Sequence, residues 1–221
     1  YGLGNGMSFP LAAGATTVLL GERPTPESVF RTLKAYQPTL FFGVPTLYAA
    51  MLAHPGAGPE MSSARLRWCV SAGEPLPAEV GQAWQRRFGV DILDGVGSTE
   101  MLHIYVSNRP GDVNYGTSGR PVAGYAIRLV DEHGHDVPDG EVGEMLVEGP
   151  SASDGYWNQR AKSRATFEGR WTRTGDKYVR SPDGLYTYQG RTDDMFKVSG
   201  IWVSPFEVES ALIAHEAVLE A

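Results

Sequence analysis

Cysteine is almost absent: Cys69 is the only one in 221 residues, so no intrachain disulfide can form. A chain without bridges fits a reducing compartment, and the cytoplasm is the expected location. Basic residues are in deficit, 19 against 26 acidic, for a net charge of -7. That balance argues against a nucleic-acid partner, because phosphate backbones select basic faces. It leaves room for small anions held by backbone amides and a few local cations. Long apolar runs are also missing. The longest, Phe9 to Leu20, is broken by glycine and threonine and is too short to span a bilayer. No basic stretch precedes it, so it does not read as a signal peptide, and no membrane association is expected. What remains is an ordinary globular composition, 42% hydrophobic and 10% aromatic. The start at Tyr1-Gly2-Leu3-Gly4 and the apolar, helix-like run from Val208 to Ala221 read as cuts within a longer protein.

The first hundred residues alternate strand and helix signals. Thr16 to Leu20 is a β-branched and aliphatic run that predicts a strand. Thr25-Pro26-Glu27 supplies an N-cap, a proline at the first helical position and an early acid, with Val29, Leu33 and Tyr36 following at helical spacing. Pro38 ends that helix, and Thr39 to Phe42 reads as a buried strand. A short helix is expected after Pro45, a strand over Leu66 to Val70, a helix from Pro77 to Phe88 closed by Gly89, and a strand over Val90 to Leu93. This alternation predicts an α/β fold with a parallel sheet. After about Val106 the pattern changes to strands at Tyr125 to Val130, Val142 to Val147, Tyr178 to Arg180 and Tyr186 to Gln189, joined by turns such as Ser181-Pro182-Asp183-Gly184. Three parts are expected: an α/β part over residues 1–110, an antiparallel, barrel-like subdomain over 111–192, and the start of a small α+β domain over 193–221.

Three expected strands end in glycine-containing loops: Gly43-Val44-Pro45, Ser71-Ala72-Gly73-Glu74-Pro75 and Asp94-Gly95-Val96-Gly97-Ser98-Thr99-Glu100. In open parallel sheets ligands bind beyond the carboxyl ends of the strands, and glycine lets the backbone approach a ligand closely. Thr99 and Glu100 pair a hydroxyl with a carboxylate, a set suited to a phosphate and its Mg²⁺. Each loop alone is equally well explained as a tight turn.

Together with later segments the loops resemble the acyl-adenylate-forming enzymes. Gly95 to Glu100 resembles their glycine-threonine-glutamate motif, and Ser71 to Pro77 the loop flanking the adenine. Thr172-Arg173-Thr174-Gly175-Asp176 resembles the motif whose aspartate binds the ribose hydroxyls. Gly190 to Gly200, followed by Glu207-Val208-Glu209, resembles the hinge into a mobile C-terminal domain. The resemblance implies an ATP/AMP site made by Gly73, Glu74, Pro75, Asp94, Gly95, Val96, Thr99, Asp176 and Arg191. Thr99 and Glu100 would be catalytic, with Glu100 on Mg²⁺. Asp193 would be the hinge and Gly200 would lie on the coenzyme A channel. Val96 departs from the pattern: many members carry an aromatic residue there that packs on the adenine.

Further stretches, Gly97 to Ile104 and Ser204 to Glu209, are similar to benzoate-CoA ligases. By that resemblance Tyr1, Ala72, Gly97, His103 and Ile104 would wall a small aryl pocket. Gly2-x-Gly4-x-Gly6 is not read as a dinucleotide loop, since no strand precedes it and no acid follows at the required distance. His103 has no evident acid partner for serine-hydrolase chemistry with Ser98, and His133 and His135 in a turn lack further metal ligands. The implied reaction joins an aromatic carboxylate, ATP and coenzyme A in two steps through an acyl-AMP, with a homodimer possible for the whole protein. The family's phosphate loop would precede Tyr1 and its catalytic lysine would follow Ala221, so the segment alone is expected to be inactive. An aryl-acid adenylation domain that loads a carrier protein, and a non-catalytic nucleotide-binding module, are the alternatives.

Overall fold

The computed structural model describes residues 1–192, 196–198, 201–203, 205–213, 215, 217 and 218. A π-helical turn, Gly4–Ser8, leads into a short helix α1 (Phe9–Ala13). The run Thr16 to Leu20 forms no strand, contrary to expectation. Strand propensity is realised only against a neighbouring ladder, and this stretch pairs with none among the described residues. Helix α2 (Pro26–Tyr36) starts where the sequence indicates: the Thr25 side chain accepts from the Ser28 backbone N–H at 3.2 Å, and Ser28 reciprocates at the Thr25 N–H. It stops at Gln37, which adopts a left-handed conformation just before Pro38.

Strand β1 (Leu40–Gly43), helix α3 (Pro45–Ala53), strand β2 (Trp68–Ser71), helix α4 (Ala78–Phe88) and strand β3 (Ile92–Gly97) then alternate as anticipated. These three strands pair in parallel, with Gly43 opposite Ser71 and Ser71 opposite Asp94. The register matters because it sets the three glycine-bearing loops side by side at one end of the sheet. Two further strands, β4 (Ile104–Ser107) and β5 (Arg120–Pro121), add on antiparallel, so the sheet is mixed and runs in the order β1-β2-β3-β4-β5. One core cluster gathers Val29, Phe30 and Leu33 of α2, Tyr48 and Met51 of α3, Trp84 and Phe88 of α4, and Cys69 and Ile92 of the sheet. Trp84 anchors it, its ring 4.9 Å from Tyr48 edge-on and 4.1 Å from Phe88.

The second sheet is antiparallel. It comprises β6 (Ala126–Val130), β7 (Val142–Glu148), β9 (Trp171–Arg180) and β10 (Tyr186–Arg191) in the order β10-β9-β7-β6, with the short β8 (Phe167–Glu168) against β9. Helix α5 (Arg160–Thr166) precedes β8. Its core of Leu129, Met145, Val147, Tyr178 and Tyr186 is continuous with Met101, Tyr105 and Val106 from the first sheet's end. Beyond it lie an antiparallel pair, β11 (Phe196–Val198) and β12 (Ile201–Val203), and helix α6 (Pro205–Ile213). The fold is α/β, with a mixed first sheet and an antiparallel second one. No helix among the described residues is long and apolar enough to cross a membrane.

Candidate functional site

Where the ends of β2 and β3 meet the second sheet there is a cavity of about 580 Å³. Eight of the nine residues expected around the nucleotide line it: Gly73, Glu74, Pro75, Asp94, Gly95, Val96, Asp176 and Arg191. Glu100 lines it as well, whereas Thr99 is exposed and does not. Asp193 and Gly200 lie outside the described residues.

Five carboxylates line the cavity, Glu74, Asp94, Glu100, Glu144 and Asp176, and three of them are held in distinct ways. Asp94, at the mouth of β3, is buried, and its Oδ1 has no hydrogen-bond partner. Burial pushes its carboxyl up to about 8, with partial relief from the nearby Ser71 hydroxyl and the Leu76 and Gly95 amides. Ser71 Oγ is likewise buried, near enough to ease the Asp94 carboxyl but without a well-formed hydrogen bond, and Asp94 Oδ1 has none. Such groups are costly in a folded protein unless something partners them.

Glu100 is held differently. Burial opposes its ionisation, but the Tyr156 hydroxyl, its own backbone N–H, Ser98 and Lys162 outweigh that and keep its carboxyl below the ordinary value. Tyr156 donates to Glu100 Oε1 at 2.6 Å. The turn carrying Glu100 is fastened to the second sheet: the Ser153 N–H donates to the Glu100 carbonyl at 2.7 Å and Ser151 Oγ to the Met101 carbonyl at 2.7 Å. As an ionised oxygen donor in a cavity with no cluster of three or more metal-ligating side chains among the described residues, Glu100 fits Mg²⁺ that arrives on phosphates.

Asp176 sits mid-strand in β9, directly opposite Arg191 of β10, and its Oδ1 accepts from Arg191 Nη1 at 3.0 Å. Gly175 has φ 74°, and a side chain there would press to within 2.9 Å of the Arg191 guanidinium, so glycine is needed for this pairing. Arg173 reaches the cavity wall from the same strand and is tied to Glu144 at 2.8 Å and Glu168 at 3.0 Å.

The residues expected around an aryl group lie next to this cavity. The Tyr1 hydroxyl shares its proton between the Gly43 and Val70 carbonyls, 3.1 Å each, at the ends of β1 and β2. His103 packs 5.6 Å from the Tyr1 ring and edge-on to Phe9 at 4.6 Å, and its Nε2 is 2.9 Å from Asn5 Oδ1. Burial lowers its pKa, which favours the neutral ring. Ile104 opposes Gly97 across β3 and β4, and Ala72 is buried. Of the five, only Gly97 also lines the 580 Å³ space. Its lack of a side chain has a second cause, since a Cβ would stand 2.4 Å from the His103 carbonyl oxygen.

Sequence reasoning passed over Tyr156, Lys162 and Arg173. Tyr156 and Lys162 lie in an irregular segment and a short helix carrying no glycine-loop or carboxylate-pair signal. Arg173 lies within the motif that ends at Asp176, where the resemblance implies a role for the aspartate alone.

Residues 1–157 match the family described as AMP-binding enzyme. The chain is 65% identical over its full 221 residues to a 4-hydroxybenzoate–CoA/benzoate–CoA ligase of Rhodopseudomonas palustris, spanning 41% of that protein. It superposes on a benzoate CoA ligase of Burkholderia xenovorans with a TM-score of 0.94 and 58% identity, covering all of this chain and 44% of that one. An anthranilate CoA ligase in complex with anthranoyl-AMP gives a TM-score of 0.96 at 48% identity, again over all of this chain and 42% of that one. The chain therefore spans about two fifths of the length of the curated relative it matches, and with more than half of it matched by the family, it belongs to the AMP-binding enzymes.

Proposed function

We propose that the longer protein containing this chain activates a benzoate-class carboxylate with ATP, forming an acyl-AMP and pyrophosphate, and then passes the acyl group to coenzyme A in the cytoplasm. The observation that carries this reading is the single cavity combining a buried, unpartnered acceptor at Asp94, an ionised Glu100 and the Asp176–Arg191 pair. A nucleotide uses all three: an exocyclic amino group donates to Asp94, vicinal ribose hydroxyls donate to Asp176, and phosphates bring their Mg²⁺ to Glu100. Gly73, whose missing side chain leaves open space at the cavity wall, admits a flat base close to the backbone, and Val96 offers an aliphatic face. Thr99 presents a hydroxyl beside Glu100. Mg²⁺, when bound, spreads the phosphate charge that builds up as the acid attacks; the residues' own contribution is to fix and orient.

On the acid side, Tyr1, Ala72, Gly97, His103 and Ile104 form a compact, mostly apolar wall suited to one aromatic ring. Two likenesses support the choice of acid and acceptor: to a ligase named for benzoate and 4-hydroxybenzoate, and to a CoA ligase that holds an aroyl-AMP. Asp193 as hinge and Gly200 at the pantetheine channel complete the proposal. Incubating the intact protein with benzoate, ATP and coenzyme A and analysing products by mass spectrometry tests it. Benzoyl-CoA and AMP are expected. Benzoyl-AMP without thioester, or transfer only to a carrier protein, would move the chain to an adenylation role.

A further inference from the structure

The nucleotide reading leaves unexplained a group that reaches into the cavity from outside both sheets. Tyr156 lies between β7 and α5, is half-buried, and places its hydroxyl 2.6 Å from Glu100 Oε1. Three contacts hold it there. Its backbone N–H donates to Ser163 Oγ at 2.9 Å, its ring stands 5.6 Å from Phe167, and the Lys162 ammonium sits 4.2 Å over the ring face. The same segment grips Glu100 a second time through the Ser153 N–H on its carbonyl. A carboxylate side chain on a turn has several rotamers to choose from, and this clamp selects one.

Resting on the proposed nucleotide site, we propose that Tyr156 is a positioning residue for Glu100: its hydroxyl on Oε1 fixes the carboxylate in the one orientation from which it would meet phosphate-borne Mg²⁺. One well-placed carboxylate suits this ion, which keeps most of its shell for phosphates and water. Groups that orient a metal-binding carboxylate without touching the metal commonly matter about 10–100-fold in metal affinity. Lys162 supports the arrangement from above the ring and places a positive charge beside the carboxylate.

The test is ATP binding by equilibrium dialysis with the intact protein, without acid substrate, in EDTA and in saturating Mg²⁺. For the parent, Mg²⁺ is expected to tighten binding. Tyr156→Phe, which removes one oxygen, is expected to lose about tenfold of that tightening while binding ATP in EDTA as the parent does. In a Glu100→Gln background the same substitution should have no further effect, because the two act as one unit. A Tyr156→Phe protein that keeps the full Mg²⁺ gain overturns the proposal and leaves the nucleotide site standing. Equal weakening in EDTA also overturns it, by making Tyr156 a direct nucleotide contact. A parent that gains nothing from Mg²⁺ removes the metal role of Glu100 and this inference with it.

Discussion

Replacing Asp94 by asparagine should make the protein's stability less sensitive to pH, and the buried geometry sets how much. The folded protein raises this carboxyl from 3.8 to about 8 because burial penalises the charge. The unfolded chain ionises it from about pH 4 upward, while the folded chain keeps the proton until about pH 8. Within that window the unfolded state binds fewer protons, so stability falls as pH rises and levels off above about 8. At about 1.4 kcal/mol per tenfold, the change between pH 5 and pH 8 amounts to as much as ~3–4 kcal/mol. Asparagine has the same shape and no charge to lose. Thermal melts of ligand-free parent and Asp94→Asn should therefore diverge with pH: the variant's advantage grows between about pH 5 and pH 8 by several degrees and then stays constant. A difference between the two proteins that does not vary across this range would refute the assignment of Asp94 as a carboxyl kept protonated by burial.

Two further outcomes follow from the site. Asp176→Ala should weaken ATP binding about 10–100-fold through loss of charge-assisted hydrogen bonds, and the variant should no longer distinguish ATP from 2′,3′-dideoxy-ATP; a variant that discriminates as the parent does removes Asp176 from the ribose. Gly97→Ala should lower the melting temperature, because its Cβ would stand 2.4 Å from the His103 carbonyl oxygen and 2.7 Å from the Ile104 nitrogen. Overpacking against backbone costs ~1–3 kcal/mol, so an unchanged melting temperature would show that the two strands separate freely at this point.

The parts of this account that were legible in the sequence are those carried by local rules. Thr25-Pro26 and Gly89 mark helix boundaries through their own side-chain and backbone chemistry, and both boundaries are where they point. Strand β3 was placed, but its extension through Asp94 to Gly97 was not, because Asp-Gly-Val-Gly carries turn residues and becomes strand only by pairing with β2 and β4. Thr16 to Leu20 shows the converse, good strand residues with no partner. The grouping of Asp94, Glu100 and Asp176 came from motif resemblance, since spacing along the chain cannot reveal that residues of β3 and β9 line one cavity. Tyr156 was invisible for the same reason: its meaning lies in a contact 56 residues away. Gly97 carried a reason beyond the pocket, which only the approach of β4 discloses.

The proposed aryl-adenylate chemistry of this cavity is tested by benzoate-dependent exchange of radiolabelled pyrophosphate into ATP by the intact protein. Exchange reports the first half-reaction alone and needs no coenzyme A. Exchange is expected to require benzoate and Mg²⁺ and to fall by about two orders of magnitude in Glu100→Gln, as when one electrostatic stabiliser is removed. Absence of benzoate-dependent exchange in the parent, or full exchange in Glu100→Gln at ordinary Mg²⁺, would contradict it.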